Sequence, residues 1–193
     1  MGKSTTAEFF RQAGIPVWDA DAAVHRLYQP GALGAQLISD IYPGALAADG
    51  SVDRLALREI IQTDYEAMGR VEEIVHPLVA EDRAEFIENA ESDIVVCDIP
   101  ILFETGGHLN FDGVIVVTAP LDVQKDRVLA RPGMTEEAFE MILSRQMPDA
   151  EKRELADFII DTSYGMEHAQ EEVLAIIDKI RNAAEEEEDY DDA

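Results

Sequence analysis

The sequence predicts an α/β protein, a parallel sheet flanked by helices with a helical insertion, and three observations lead there. Ile94-Val95-Val96-Cys97, Val114-Ile115-Val116-Val117 and Phe158-Ile159-Ile160 are short apolar runs without alternation, the pattern of strands buried on both faces. Helical spacing lies among the runs, over 121–131, 135–147 and 167–183, and strand–helix alternation implies right-handed crossovers. Residues 31–92 are helical in pattern almost throughout, so they read as an insertion into that alternation.

Along the chain, residues 4–13 form a first helix with Phe9, Phe10 and Ala13 on its apolar face, and Gly14 is placed to end it. Ile15-Pro16-Val17-Trp18 reads as a short strand broken by Asp19-Ala20-Asp21, and 22–28 as a helix closed by Pro30-Gly31. Within the insertion, Leu33, Leu37, Ile38 and Ile41 share one face, and 42–50 is loop-like. Asp53 is expected to cap one helix and Asp64 the next, and His76-Pro77 to start another, because proline suits a first helical turn. Thr135 is an N-cap, with Glu136 and Glu137 complementing the helix dipole.

The bulk composition limits what the protein does. With 193 residues, 47% of them hydrophobic, the chain supports one substantial domain. Fifteen basic against 41 acidic residues give a net charge of −26, which excludes nonspecific nucleic-acid binding because neutralising phosphates needs a basic face. Part of the charge lies in the block 185–192, and residues 185–193 are expected to form a disordered, solubilising tail. No apolar run has the length of a membrane span, and no signal peptide is visible. The single cysteine, Cys97, cannot form an internal disulfide, so a reduced, cytoplasmic setting is expected. The expected assembly is a monomer or a weak homo-oligomer.

Gly2-Lys3-Ser4-Thr5 opens the first helix and matches the end of the phosphate-binding pattern G-x-x-x-x-G-K-[ST]. In that pattern backbone N–H groups wrap phosphates, the lysine reaches the terminal phosphates and the hydroxyl binds Mg²⁺. Met1 to Thr6 also matches an N-myristoylation signal, without a polybasic partner signal. Asp19-Ala20-Asp21 follows a strand end, where open α/β sheets bind ligands. A carboxylate there takes a proton from an attacking hydroxyl or caps the next helix, and two aspartates can divide these roles. Asp98 ends a strand, as a Mg²⁺-binding Walker B aspartate does, or as an ordinary turn residue does. Lys125, Arg127, Arg131, Arg145, Lys152 and Arg153 concentrate positive charge in one stretch. Arg131-Pro132-Gly133 leads from it into a lid-like segment over 131–153.

Together these residues resemble the dephospho-CoA kinase family over nearly the whole length, from Gly2 to about Ile180. The matching stretches are GKST (2–5), GIPVWDADAAVHRLY (14–28), ADGSVDR (48–54), EEIVHPLV (72–79), DIPILFETG (98–106), VLARPGMTEE (128–137) and RQMPDAEKRELADFIIDT (145–162). The resemblance implies a P-loop kinase sheet and transfer of the ATP γ-phosphate to the ribose 3′-hydroxyl of dephospho-CoA, with ATP and Mg²⁺ bound. Asp21 matches the catalytic base, and Lys3 the residue that neutralises phosphate charge. Gly2, Lys3, Ser4, Thr5, Arg131, Arg145 and Lys152 are expected to bind ATP, and Ser4 with Asp98 the Mg²⁺. Asp21, His76, Pro100, Leu102, Phe103 and Glu104 are expected to border the acceptor. Residues 1–29 and 93–184 would then form the nucleotide-binding core and 30–92 the acceptor-binding region.

Two departures stand out. Many family members carry an arginine where this chain has Asp149, and members begin with a strand and a glycine-rich loop before G-K-[ST]. A chain starting at Met1 is therefore expected to turn over weakly or not at all. Another small-molecule P-loop kinase, or a non-catalytic CoA- or nucleotide-binding protein, are the competing expectations.

Overall fold

The structure, a computed structural model, describes residues 2–191. The first helix, α1 (Lys3–Gln12), is followed by β1 (Val17–Asp19), α2 (Ala20–Leu27), α3 (Leu33–Ile41), α4 (Arg54–Thr63), α5 (Ala67–Glu88) and β2 (Val96–Asp98). Then come β3 (Ile115–Thr118), α6 (Leu121–Leu129), α7 (Glu136–Ser144), α8 (Asp149–Glu154), β4 (Phe158–Asp161) and α9 (Met166–Asp191). The pairing is parallel, as the sequence predicts: β1 pairs with β2 from Val17↔Val96 to Asp19↔Asp98, and β3 with β4 from Ile115↔Phe158 to Thr118↔Asp161. Among the described residues these are two separate two-stranded sheets.

The chain divides into two compact units: Met1–Ile15 with Pro100–Ala193, and Pro16–Ile99. The division falls close to β1 and β2, not at the expected limits of 30–92. The reason is local: β1 pairs with β2, and α2 packs on α5 and α3. In the Pro16–Ile99 unit the core is Ala35, Ile38, Ala45, Val52, Leu57, Val71 and Val75, drawn from α3, α4, α5 and the loop joining α3 to α4. In the other unit α9 buries Ala169, Val173, Ile176 and Ile177, a helical i, i+4, i+7, i+8 stripe, and packs on β4 and α1. α1 buries Ala7, Phe9 and Phe10.

Local signals hold where the chemistry is local. Asp53 accepts hydrogen bonds from the amides of Leu55 (2.9 Å) and Ala56 (3.2 Å), capping α4. Thr135 caps α7 through Ala138 N. Two expectations are corrected. Asp64 does not cap the following helix; it closes α4 and accepts from Glu66 N in the tight turn before α5. His76-Pro77 starts no helix, because α5 runs through it from Ala67 to Glu88 with Pro77 inside. The apolar positions Val71 and Val75 are buried on that helix, and this packing outweighs the hydrogen bond that proline removes. The acidic run from Glu185 to Asp191, expected to be disordered, continues α9. Glutamate is a good helix former, and extending an existing helix needs no new nucleus. Asp192 and Ala193, the end of the expected tail, and Met1, the start of the lipidation pattern, lie outside the described residues.

Candidate active site

In the unit containing α1, the helix opens on Gly2, whose φ of 89° is left-handed. A side chain is strained there, and a Cβ would sit 3.2 Å from Thr162 Cγ2, so backbone approaches side chain closely. Gly2 O accepts from Thr6 N (2.9 Å) and Thr6 Oγ1 (3.2 Å), which seats the first turn. Ser4 and Thr5 are exposed in that turn and Lys3 is half-buried. A helix start presents N–H groups and the positive end of the dipole, so this turn is suited to an anion.

Thr162, beside Gly2, joins a polar chain. Arg127 donates from Nη1 to Thr162 Oγ1 (2.7 Å) and from Nη2 to the Thr162 carbonyl (2.9 Å). Thr162 Oγ1 donates to the carbonyl of Thr118 (3.1 Å), tying the ends of β3 and β4 together. Thr118 Oγ1 in turn donates to the Asp149 carboxylate at 2.7 Å. Asp149 thus holds α8 to the end of β3. Sequence reading named Arg127 as one of a stretch of cations ahead of the lid-like segment but missed Thr118 and Thr162; no local pattern marks them.

Four predicted residues lie in the segment after β2. Glu104 Oε1 accepts from Lys152 Nζ (2.7 Å) and Met147 N (2.9 Å). Burial alone pushes the Glu104 carboxyl up; the Lys152 ammonium and the amide donors outweigh it and hold it below the ordinary value. Lys152, expected to meet ATP, is buried in this ion pair, with 7% of its surface exposed. Phe103 is 8% exposed in the core with Val114 and Val116, against which Leu102 packs, while Pro100 is exposed. Arg131 and Arg145 are exposed, and neither pairs with a carboxylate among the described residues.

In the Pro16–Ile99 unit the structure separates the two aspartates of Asp19-Ala20-Asp21. Asp19 ends β1 and caps α2, accepting from Ala22 N at 2.8 Å. Asp21 lies in the first turn of α2, exposed, and no described residue hydrogen-bonds to its carboxylate. Asp98, 8% exposed, ends β2 in register with Asp19, so the carboxyl ends of both strands carry carboxylates. His76 is exposed midway along α5. No group of three or more His, Cys, Asp or Glu side chains suited to holding a metal ion occurs among the described residues. The Ser4 hydroxyl and the Asp98 carboxylate are nonetheless the hard oxygen donors that Mg²⁺ prefers. That ion takes most of its ligands from phosphate and water, so few protein donors fit it.

Parallel strands ending in polar residues, and a helix opened by a left-handed glycine in a G-K-S-T run, define a P-loop kinase-type protein. A sequence model of the family described as dephospho-CoA kinase matches residues 1–168. A dephospho-CoA kinase of Mesorhizobium japonicum is 53% identical over 184 residues, covering 94% of this chain and 92% of the relative. One from Cereibacter sphaeroides is 52% identical over 185 residues, covering 96% and 93%. Among solved structures, a Thermus thermophilus protein superimposes with a TM-score of 0.80 at 32% identity, over 91% of this chain and 90% of its own. The dephospho-CoA kinase from Campylobacter jejuni gives 0.72 at 27%, over 95% and 93%. The chain belongs to the dephospho-CoA kinase family.

Proposed function

We propose that this protein transfers the γ-phosphate of ATP to the 3′-hydroxyl of dephospho-CoA, yielding coenzyme A and ADP. The family membership supports the reaction, and one observation carries the assignment of its base: Asp19 takes the cap of α2 and leaves Asp21 exposed. As the ribose oxygen bonds to the γ-phosphorus, its proton passes to the Asp21 carboxylate. The bond from γ-phosphorus to the bridging oxygen breaks, and that oxygen leaves with ADP. The first turn of α1 holds the phosphates through backbone N–H groups, and Lys3 neutralises their charge. Ser4 and Asp98 are the residues that would hold Mg²⁺, which would supply further charge neutralisation. In a chain with 41 acidic residues against 15 basic, arginines without a carboxylate partner are available for phosphate; Arg131 and Arg145 serve so. Lys152 acts through Glu104, shaping the segment that borders the acceptor.

The partners are thus small molecules, and the acidic balance disfavours nucleic acid. No helix among the described residues is long and apolar enough to cross a membrane. A cytoplasmic setting and a monomeric or weakly associating state belong to the same reading.

The test is an ATP-consumption assay with Mg²⁺ and dephospho-CoA, adenylate or a sugar acid as acceptor, with the product identified by mass. ADP and coenzyme A should form in equal amounts. A preference for another acceptor overturns the substrate, and binding of dephospho-CoA without turnover overturns the activity.

A further inference from the structure

The short segment that delivers Asp21 is held at both ends by one carboxylate. Trp18 directly precedes Asp19 on β1, and its indole Nε1 donates to Asp82 Oδ1 at 2.7 Å. Arg26, in the last turn of α2, donates from Nε to Asp82 Oδ2 (3.1 Å) and from Nη2 to Oδ1 (2.5 Å). Asp82 lies on α5, against which α2 packs. The only residue of α2 that is fully buried is Ala23. Val24 adds only a partly buried contact with the neighbouring core, so apolar burial fixes the rotation of this short helix loosely. A planar, bidentate guanidinium–carboxylate pair fixes it firmly, because both its hydrogen bonds must be satisfied in one orientation. The indole fixes the other end: Trp18 is 2% exposed, so its N–H needs a protein acceptor.

We propose that Asp82 is a positioning residue for catalysis, clamping Trp18 and Arg26 so that Asp21 between them is presented to the acceptor hydroxyl at a fixed angle. This rests on the reading of Asp21 as the base. Arg26 is about half exposed, so solvent screens the pair and its contribution is geometry more than stability. The cost of losing it falls on the proton-transfer step, where a displacement of about 1 Å lowers rates by up to roughly a hundredfold.

The test is a double-mutant cycle of Asp82→Asn and Asp21→Asn in the whole chain, read as kcat and KM for ATP and for dephospho-CoA. Trp18, the only tryptophan, provides an emission signal that reports the clamp independently of turnover. Asp82→Asn should lower kcat about tenfold, leave KM for ATP within about twofold and alter Trp18 emission. In the Asp21→Asn background it should lower kcat no further. Arg26→Gln, on the exposed arm, should reproduce a smaller drop in kcat and covers the case in which Asp82→Asn does not fold. If Asp82→Asn costs the same factor in both backgrounds, its role is merely structural and the proposal fails. If Asp21→Asn loses turnover while Asp82→Asn and Arg26→Gln keep it, the clamp is irrelevant to catalysis. If Asp21→Asn keeps full turnover, the base assignment itself is wrong, and the positioning role falls with it.

Discussion

The Lys152 ammonium lies 2.7 Å from Glu104 Oε1, and both side chains are largely removed from water. Oε1 also takes the Met147 amide, whereas Oε2 is buried with no hydrogen-bond partner among the described residues. The pair joins the segment after β2 to α8, so a residue read from sequence as a nucleotide ligand is committed to an internal ion pair.

Removing the lysine strands a buried carboxylate. Lys152→Met should destabilise the protein by about 3 kcal/mol in urea unfolding at pH 7, and adding Glu104→Leu should recover most of the loss. Recovery in the double variant separates an uncompensated charge from lost packing.

The same pair sets a pH dependence. Glu104 is held below the ordinary carboxylate value when folded, so its contribution is complete above the unfolded value of about 4.3. It is lost as the pH falls through the lower folded value. In Lys152→Met burial is opposed by the amide donors alone, and the carboxyl protonates more readily. The stability gap between the two proteins should therefore be widest near neutrality and shrink below about pH 4. A gap constant with pH argues against the charge pair as its origin.

Thr118 is 2% exposed and donates to the Asp149 carboxylate. Thr118→Val keeps the shape and removes the donor. The expected loss is about 1.5–3 kcal/mol, as for a hydrogen bond to a charged group, with faster amide exchange in α8 than elsewhere.

Gly2 and Gly14 both have positive φ, at 89° and 83°. An added Cβ at Gly14 meets nothing within 4 Å, whereas at Gly2 it presses on Thr162. Each alanine substitution should cost roughly 1–2 kcal/mol from backbone strain. Only Gly2→Ala should also raise KM for ATP; an equal effect at Gly14 would detach the first turn of α1 from phosphate binding.

Gly34 on α3 is a tighter case. A Cβ there would lie 2.7 Å from the Leu27 carbonyl oxygen, an atom of backbone that cannot swing away. Gly34→Ala should cost about 1–3 kcal/mol by forcing α2 and α3 apart. A neutral result in thermal unfolding would show that this helix contact yields cheaply.

Much of this architecture is legible in sequence because the signals are short-range. The caps at Asp53 and Thr135 and the parallel strands follow from patterns spanning a few residues. Pro77 misled because a local rule, proline at a helix start, met burial of Val71 and Val75 from the tertiary fold. Asp19 and Asp21 were equivalent in sequence; an accepted amide at 2.8 Å divides cap from candidate base.

The amino-acid sequence by itself determined the α/β class, the order of most elements, the glycine that opens α1 and, through the resemblance of its motifs, the family. Tertiary structure alone decided which polar partners meet: Glu104 with Lys152, Asp149 with Thr118, and Asp82 with Trp18 across 64 residues. The physical reason lies in the composition and the range of the forces. Backbone preference and burial periodicity are written in neighbouring residues, but a chain with 41 acidic and 15 basic side chains offers many pairings of nearly equal local merit. Only the return of the chain through its crossovers brings one partner within hydrogen-bond reach and takes both out of water.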